Sequence, residues 1–319
     1  MLCLHLTNSL SIVCLLWGFY AHQEINELAV YSLPPELLVF YKPNMNYIRE
    51  TAVNPDRRRH SVPDEAPRHY IDLDHYGDSA LWVIPRKWNE AVVSITEDTL
   101  ISYGIVPWHI SRMYYSLRDA FVLRDPARIL KLSSELGHYV GDAHVPLHTT
   151  ENYNGQLTGQ DGIHGLWESR LPQLFAHDFN FLVGRAEYVS DPLAAAWQAV
   201  ADSHAAVDSV LEIERVLTKE SAKAKFTFES RGRATLKVYS ENFARHYHRR
   251  LYGMVERRMR AAIRMTGNLW FSAWIDAGQP DMLPLLSYQP SEQELADRKR
   301  ELETWRSTRI NSRPHESEP

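Results

Sequence analysis

The run DPARILKLSSELGHYVGDAHVPLH, residues 125–148, carries fold and chemistry together. Asp125-Pro126-Ala127 starts a helix that runs through Ile129, Leu130, Leu132 and Leu136. The same helix delivers His138 and Asp142, four residues apart and therefore on one face. Pro146 ends or bends it, and His148 is expected on an extended segment beyond. Sixteen residues further on, His164 and Glu168 repeat the four-residue spacing, with Trp167 between them. One such pair is an ordinary surface contact. Two pairs joined by Pro-Leu-His supply what a metal requires: neutral ring nitrogens and carboxylate oxygens converging from rigid elements.

Outward from this run, the 319 residues are 44% apolar, 11% aromatic and 24% charged, enough for a sizeable core and one large domain. A formal charge of −5 and a pI near 6.3 exclude a strongly basic nucleic-acid footprint. They do not exclude a nucleic-acid substrate, because bound cations are absent from that sum and dominate the local field. Both cysteines, Cys3 and Cys14, fall near the start, so no disulfide framework serves the rest. The apolar stretch Leu10 to Leu16 resembles the core of a secretory signal, although no Lys or Arg precedes it and Leu15-Leu16 departs from the small-residue cleavage rule. It is too short to span a membrane. The expected organisation is a leader over residues 1–16, a domain over 17–286 and a polar tail over 287–319, in a secreted or periplasmic protein without a transmembrane anchor.

After Trp17, the residues His22, Ile25, Leu28 and Ala29 lie at helical spacing, placing His22 on the inward face of a first helix. Pro34-Pro35-Glu36 opens a second helix. Asn54-Pro55-Asp56 leads into Arg57-Arg58-Arg59, of which Arg57 and Arg58 read as a solvated face. Residues 60–68 form a loop, followed by His69-Tyr70-Ile71-Asp72, crowded with possible ligands. Helices are expected at 88–103, 107–123, 163–174, 192–219 and 232–274, with a Gly/Asn/Thr-rich loop over Thr149 to Gly162. The basic residues Arg249, Arg250, Arg257, Arg258, Arg260 and Arg264 read as solvated surface, because no stacking aromatics accompany them. At most one short helix, around Gln293 to Trp305, is expected in the tail. No convincing strand is visible, so the fold class is all-α.

Trp17, His22, Asp56, His69, His138, Asp142, His148, His164 and Glu168, taken in order, resemble the zinc-dependent phospholipase C / S1-P1 nuclease superfamily. That family combines a mature N-terminal Trp, an early His, an Asp…His pair, a His-x-x-x-Asp-x-x-x-x-x-His segment and a His-x-x-x-Asp/Glu pair. The pattern spans residues 17 to 168 here. The resemblance implies three zinc ions: one on Asp56, His69, His138 and Asp142, a second on His148, His164 and Glu168, and a third on the Trp17 amine and carbonyl, His22 and a shared Asp142. It further implies hydrolysis of a phosphate ester by metal-activated water, with Asp56 orienting or deprotonating that water and Arg59 near the substrate phosphate. Glu168 matches the phospholipase branch, since nuclease relatives usually carry Asp there. The glycine pair of the nuclease loop is replaced by Asn154-Gly155-Gln156, and the nuclease disulfides have no counterpart. The leading expectation is therefore a phospholipase C-like hydrolase of phosphate (di)esters, its substrate a phospholipid headgroup or a nucleic acid or nucleotide and with no stable protein partner, then a single-strand nuclease/3′-nucleotidase, then a non-catalytic helical protein stapled by zinc. A di-iron carboxylate bundle is disfavoured by the lack of paired Glu-x-x-His motifs. Asn152 and Asn154 suit either substrate contacts or loop structure, while His75, His109 and His144 are expected to be structural or to support the ligands.

Overall fold

The computed structural model describes residues 19–221, 225–231 and 234–310. Trp17 and the expected leader lie outside the described residues. The described chain is mainly helical with one two-stranded sheet, the all-α class expected. Helices α1 (Phe19–Val30), α2 (Pro35–Tyr41), α3 (Met45–Thr51) and α4 (Asn54–Arg58) lead into 3₁₀ turns at Ala66–His69 and Leu73–Tyr76. Short α5 (Ala80–Val83), α6 (Trp88–Ile95) and α7 (Glu97–Tyr103) precede the long α8 (Val106–Val122) and α9 (Pro126–Ala143). A 3₁₀ turn at Pro146–Thr149 and a π-helical turn at Gly165–Arg170 are followed by α10 (Leu171–Phe175), α11 (Pro192–His204) and α12 (Val207–Ser221). The antiparallel strands β1 (Phe226–Arg231) and β2 (Ala234–Tyr239) come next, then α13 (Glu241–Arg250), α14 (Met254–Asp276) and α15 (Glu292–Ser307).

Local chemistry starts the helices that matter. The Asp125 side chain accepts the Arg128 N–H and Pro126 occupies the first turn of α9; Asp191, Ala194 and Pro192 repeat the device on α11. Such a cap is worth about 1 kcal/mol. The rest of α9's stability comes from packing against α8, α14, α1 and α3, where Ile129, Leu136 and Val140 join Ile25, Ala29 and Trp270 in one core. A second core gathers Leu147, Ile163, Trp167 and Leu171 against Phe243 and Tyr247. Helix α1 touches both, through Ile25 in the first and Ala21 in the second.

Two glycines let α1 reach α9. A Cβ on Gly137 would stand 1.8 Å from Asn26 Oδ1, and one on Gly141 would stand 2.8 Å from His22 Nδ1. Asn26 uses the close approach to donate to the Ser134 carbonyl at 2.9 Å. His22 is thereby laid directly on the helix that carries His138 and Asp142.

Several expected boundaries are corrected. The helix expected over 88–103 is broken at Thr96 (φ 90°), and that over 192–219 is α11 and α12. The helix expected over 232–274 begins as strand β2, which pairs with β1 (Phe226 opposite Tyr239), and breaks again at Tyr252 and Gly253, both at positive φ. The strands went unseen although Phe226-Thr227-Phe228 and Leu236-Lys237-Val238 alternate with period two. His148 lies in a 3₁₀ turn rather than on an extended segment, because the extended backbone is confined to Val145 ahead of Pro146 and Thr150 after the turn. In the C-terminal region α15 starts at a Ser291/Glu294 capping box. It rests on the α4 end of the molecule, with Ser61 Oγ donating to the Trp305 carbonyl at 3.2 Å and the Ile310 N–H to the His60 carbonyl at 2.7 Å. No helix among the described residues is long and apolar enough to cross a membrane.

Candidate metal centre

Eight of the nine expected donors are described, and they converge. In the first group, His69 Nδ1, His138 Nε2 and Asp142 Oδ2 are 2.9, 3.1 and 3.2 Å from one another. Asp56 Oδ1 approaches both imidazole nitrogens at 3.6 Å. In the second group, His148 Nε2, His164 Nε2 and Glu168 Oε2 are separated by 2.7, 3.0 and 3.3 Å. His164 and Glu168 meet across the π-helical turn, a distortion that recurs at functional sites. His22 forms a third group: its Nε2 lies 3.5 Å from Asp142 Oδ1 and 3.4 Å from Glu168 Oε1. The expected third set named Asp142 alone beside His22; Glu168 joins it because each carboxylate turns one oxygen to its own cluster and the other to His22.

These separations fit a metal. Tetrahedral ligands about 2.0–2.1 Å from zinc stand about 3.3 Å from one another, and the observed spacings bracket that value. All donors are nitrogen or oxygen. His22, His69, His138, Asp142, His148, His164 and Glu168 are buried, and only Asp56 is intermediate. His22 Nε2, Asp56 Oδ1 and Asp142 Oδ1 are buried atoms without a hydrogen bond, a costly state unless something else satisfies them. Buried His/Asp/Glu groups therefore present sites that could hold metal ions.

The electrostatics carry the same strain. Burial would depress the His22 pKa, but the carboxylates of Glu168, Asp142 and Asp56 override it and raise it to about 9. His148 is raised in the same way against burial by Glu168 and Asp142. His138 is lowered by burial and by the charge of His22, and His164 is lowered by burial despite Glu168. Burial penalises the charge on Asp142, yet the imidazoles of His138, His148 and His69 hold its carboxyl well below the usual range.

A layer behind the donors aims them. His148 Nδ1–H donates to the His69 carbonyl at 2.6 Å, which leaves Nε2 with its lone pair facing the second group. Glu65 Oε1 lies 3.6 Å from His69 Nε2 and accepts from the Tyr139 hydroxyl. Glu65 Oε2 meets Arg58 Nε at 2.9 Å and Arg68 Nη1 at 2.7 Å. Arg58 also pairs with Glu135 at 2.7 Å, so it is an interior cation and not the solvated residue expected. Arg57, half-buried, lies over the Phe19 ring. Arg258 corrects the expected solvated face too: its Nε donates to the His144 carbonyl at 3.0 Å and Nη2 to the Ala199 carbonyl at 2.9 Å, pinning the C-terminal end of α9. Asn152 and Asn154 fold their own loop, accepting from Leu157 N at 2.8 Å and Gly162 N at 3.1 Å. Arg59 is buried, with its guanidinium 6.0 Å from the centre of the Tyr70 ring, and its charge contributes to lowering His164. His144 Nδ1 bonds the Val140 carbonyl and His75 stacks on Tyr103, both away from the donor groups.

No family model matches the chain, and no curated protein does either.

Proposed function

We propose that the chain is a zinc-dependent hydrolase of phosphate esters, phospholipase C-like and a member of the superfamily its ligand order resembles. The observation that supports this most is the meeting of eight nitrogen and oxygen donors, drawn from residues 22 to 168, in three groups tied together by Asp142 and Glu168. Zinc is favoured over calcium or magnesium by the imidazole-rich set. On this reading Asp56, His69, His138 and Asp142 hold one ion and His148, His164 and Glu168 another, with His22 completing a third site together with Trp17. Zinc bound there would supply a Lewis acid and a water acidic enough to attack near neutral pH.

The chain's own residues fit the remaining roles. Asp56 is the least enclosed of the described donors and is suited to taking the proton of the attacking water. Water adds to phosphorus, the bond to the leaving alcohol oxygen breaks, and that oxygen takes up a proton. Arg59, a buried cation beside the second group, is suited to meeting the phosphate's charge. A nuclease/3′-nucleotidase reading is favoured by one feature, the half-exposed Tyr153, whose ring lies 5.9 Å from that of His164 and could stack a base.

The test is a parallel assay of the purified, zinc-loaded chain on phosphatidylcholine, single-stranded nucleic acid and a 3′-nucleotide. Hydrolysis of the lipid, lost on chelation and restored by zinc, is expected. Turnover confined to the nucleic-acid substrates would move the assignment to the nuclease branch. Full zinc loading with no hydrolysis in any arm would leave a structural staple.

A further inference from the structure

A pocket of about 340 Å³ is lined by none of the metal donors. Its walls come from the starts of α6, α8 and α11: Trp88, Trp108 and Leu193, with Ile105 beside them. Trp108 is fixed in place. Its indole N–H donates to the Arg86 carbonyl at 2.7 Å, and its ring meets Trp88 and Trp197 edge-on at 5.4 and 5.0 Å. The volume is that of a small ligand site, and rigid aromatic walls suit a flat apolar body.

The charged residues of the lining, Lys87 and Arg112, are both cations, beside the neutral His109, Ser111 and Tyr115. Arg112 reaches across to His109, donating from Nη2 to Nδ1 at 2.8 Å. That contact makes Nδ1 the acceptor, so a neutral His109 carries its proton on Nε2, a buried atom without a hydrogen bond. Burial and Arg112 push His109 well below its usual pKa, which keeps it neutral. Arg112 makes no ion pair among the described residues, and its charged neighbour Arg68 adds repulsion. Lys87 at the edge is paired with Glu90 at 3.3 Å on the exposed surface. The pocket thus joins an apolar slot to a guanidinium that has no ion-pair contact among the described residues, with Glu65 acting on it only from a distance.

We propose that this pocket binds a small organic anion, a flat apolar ring system lying among Trp88, Trp108 and Leu193 with one carboxylate on Arg112. A guanidinium fork matches two carboxylate oxygens, whereas a phosphate would leave further oxygens facing apolar walls. The site is independent of the metal reading, and its test is run in excess chelator.

The probe is 2-naphthoate, titrated calorimetrically into the full chain, with uncharged 2-naphthylmethanol and inorganic phosphate as controls. One-to-one saturable binding of the naphthoate is expected. Arg112→Gln should weaken it at least tenfold with an unchanged Tm, while leaving the weaker affinity for the alcohol as it was. Trp88→Ala should weaken both. Absence of saturable naphthoate binding would overturn the proposal. Equal affinity for naphthoate and alcohol, an Arg112→Gln variant indistinguishable from the parent, or competition by phosphate would do the same.

Discussion

Glu65 joins two tasks in one buried side chain, anchoring Arg58 and Arg68 while lying against the outer nitrogen of His69. Removing one partner of a buried ion pair leaves the other uncompensated, at a cost of about 3–5 kcal/mol. Glu65→Ala is therefore expected to lower the free energy of unfolding by that order, read as a lowered urea midpoint. On the proposed function it is also expected to weaken zinc binding about 10–100-fold, the usual effect of losing a group that orients a ligand. Glu65→Gln, which keeps the shape, should recover part of the stability but less of the zinc affinity. On the proposed function, His148→Ala abolishes hydrolysis and lowers bound zinc, read by metal analysis and turnover together; full turnover in that variant would remove the second group from the chemistry. The donors themselves were legible because residue type and spacing carry their meaning. Arg58 and Arg258 were not. Arg58's partner Glu135 and Arg258's partner His144 sit far away in sequence, the nearer Glu65 lies across a turn from Arg58, and a run of arginines looks the same whether water or carboxylates surround it.

Between elements, the decisive contact is α1 on α9. Gly141→Ala places a methyl carbon 2.8 Å from His22 Nδ1, so His22 or the helix must shift. Overpacking of this kind costs about 1–3 kcal/mol, and the expected signature is a lowered Tm and, on the proposed function, selective loss of the ion held with His22. A variant retaining full metal content and Tm would show that α1 gives way freely. Helical class was readable from the 3.6-residue period and the Asp-Pro starts of α9 and α11. The hairpin was missed because its alternation is short and was absorbed into the helical pattern that follows. The break at Gly253 was missed because a glycine within an otherwise helical run gives no sign of whether it takes a positive φ.

For the molecule as a whole, buried histidines set the acid limit. Burial, and then the charge of Arg258, pushes His144 down to about 3, and His109 is lowered well below its usual value. Above the ordinary imidazole pKa of about 6.5 both folded and unfolded chains are neutral at these positions. As pH falls below it, the unfolded chain takes protons that the folded chain refuses. Stability is lost at up to about 1.4 kcal/mol per pH unit per histidine. His22 has the opposite sign: held at about 9, its contribution is present below about 6.5 and lost as pH rises through 9. Urea midpoints of the chelated protein are accordingly expected to fall from pH 7 to pH 4, and a flat profile would contradict this account. The doubly engaged carboxylates carry one further consequence. Asp142 and Glu168 each present one oxygen to their own cluster and the other to His22, so a metal held by one group would fix the orientation of the oxygen offered to the next. Such coupling is reciprocal. On the proposed function, zinc should load cooperatively and stripping any one ion should loosen the others, giving a chelator titration steeper than independent sites allow.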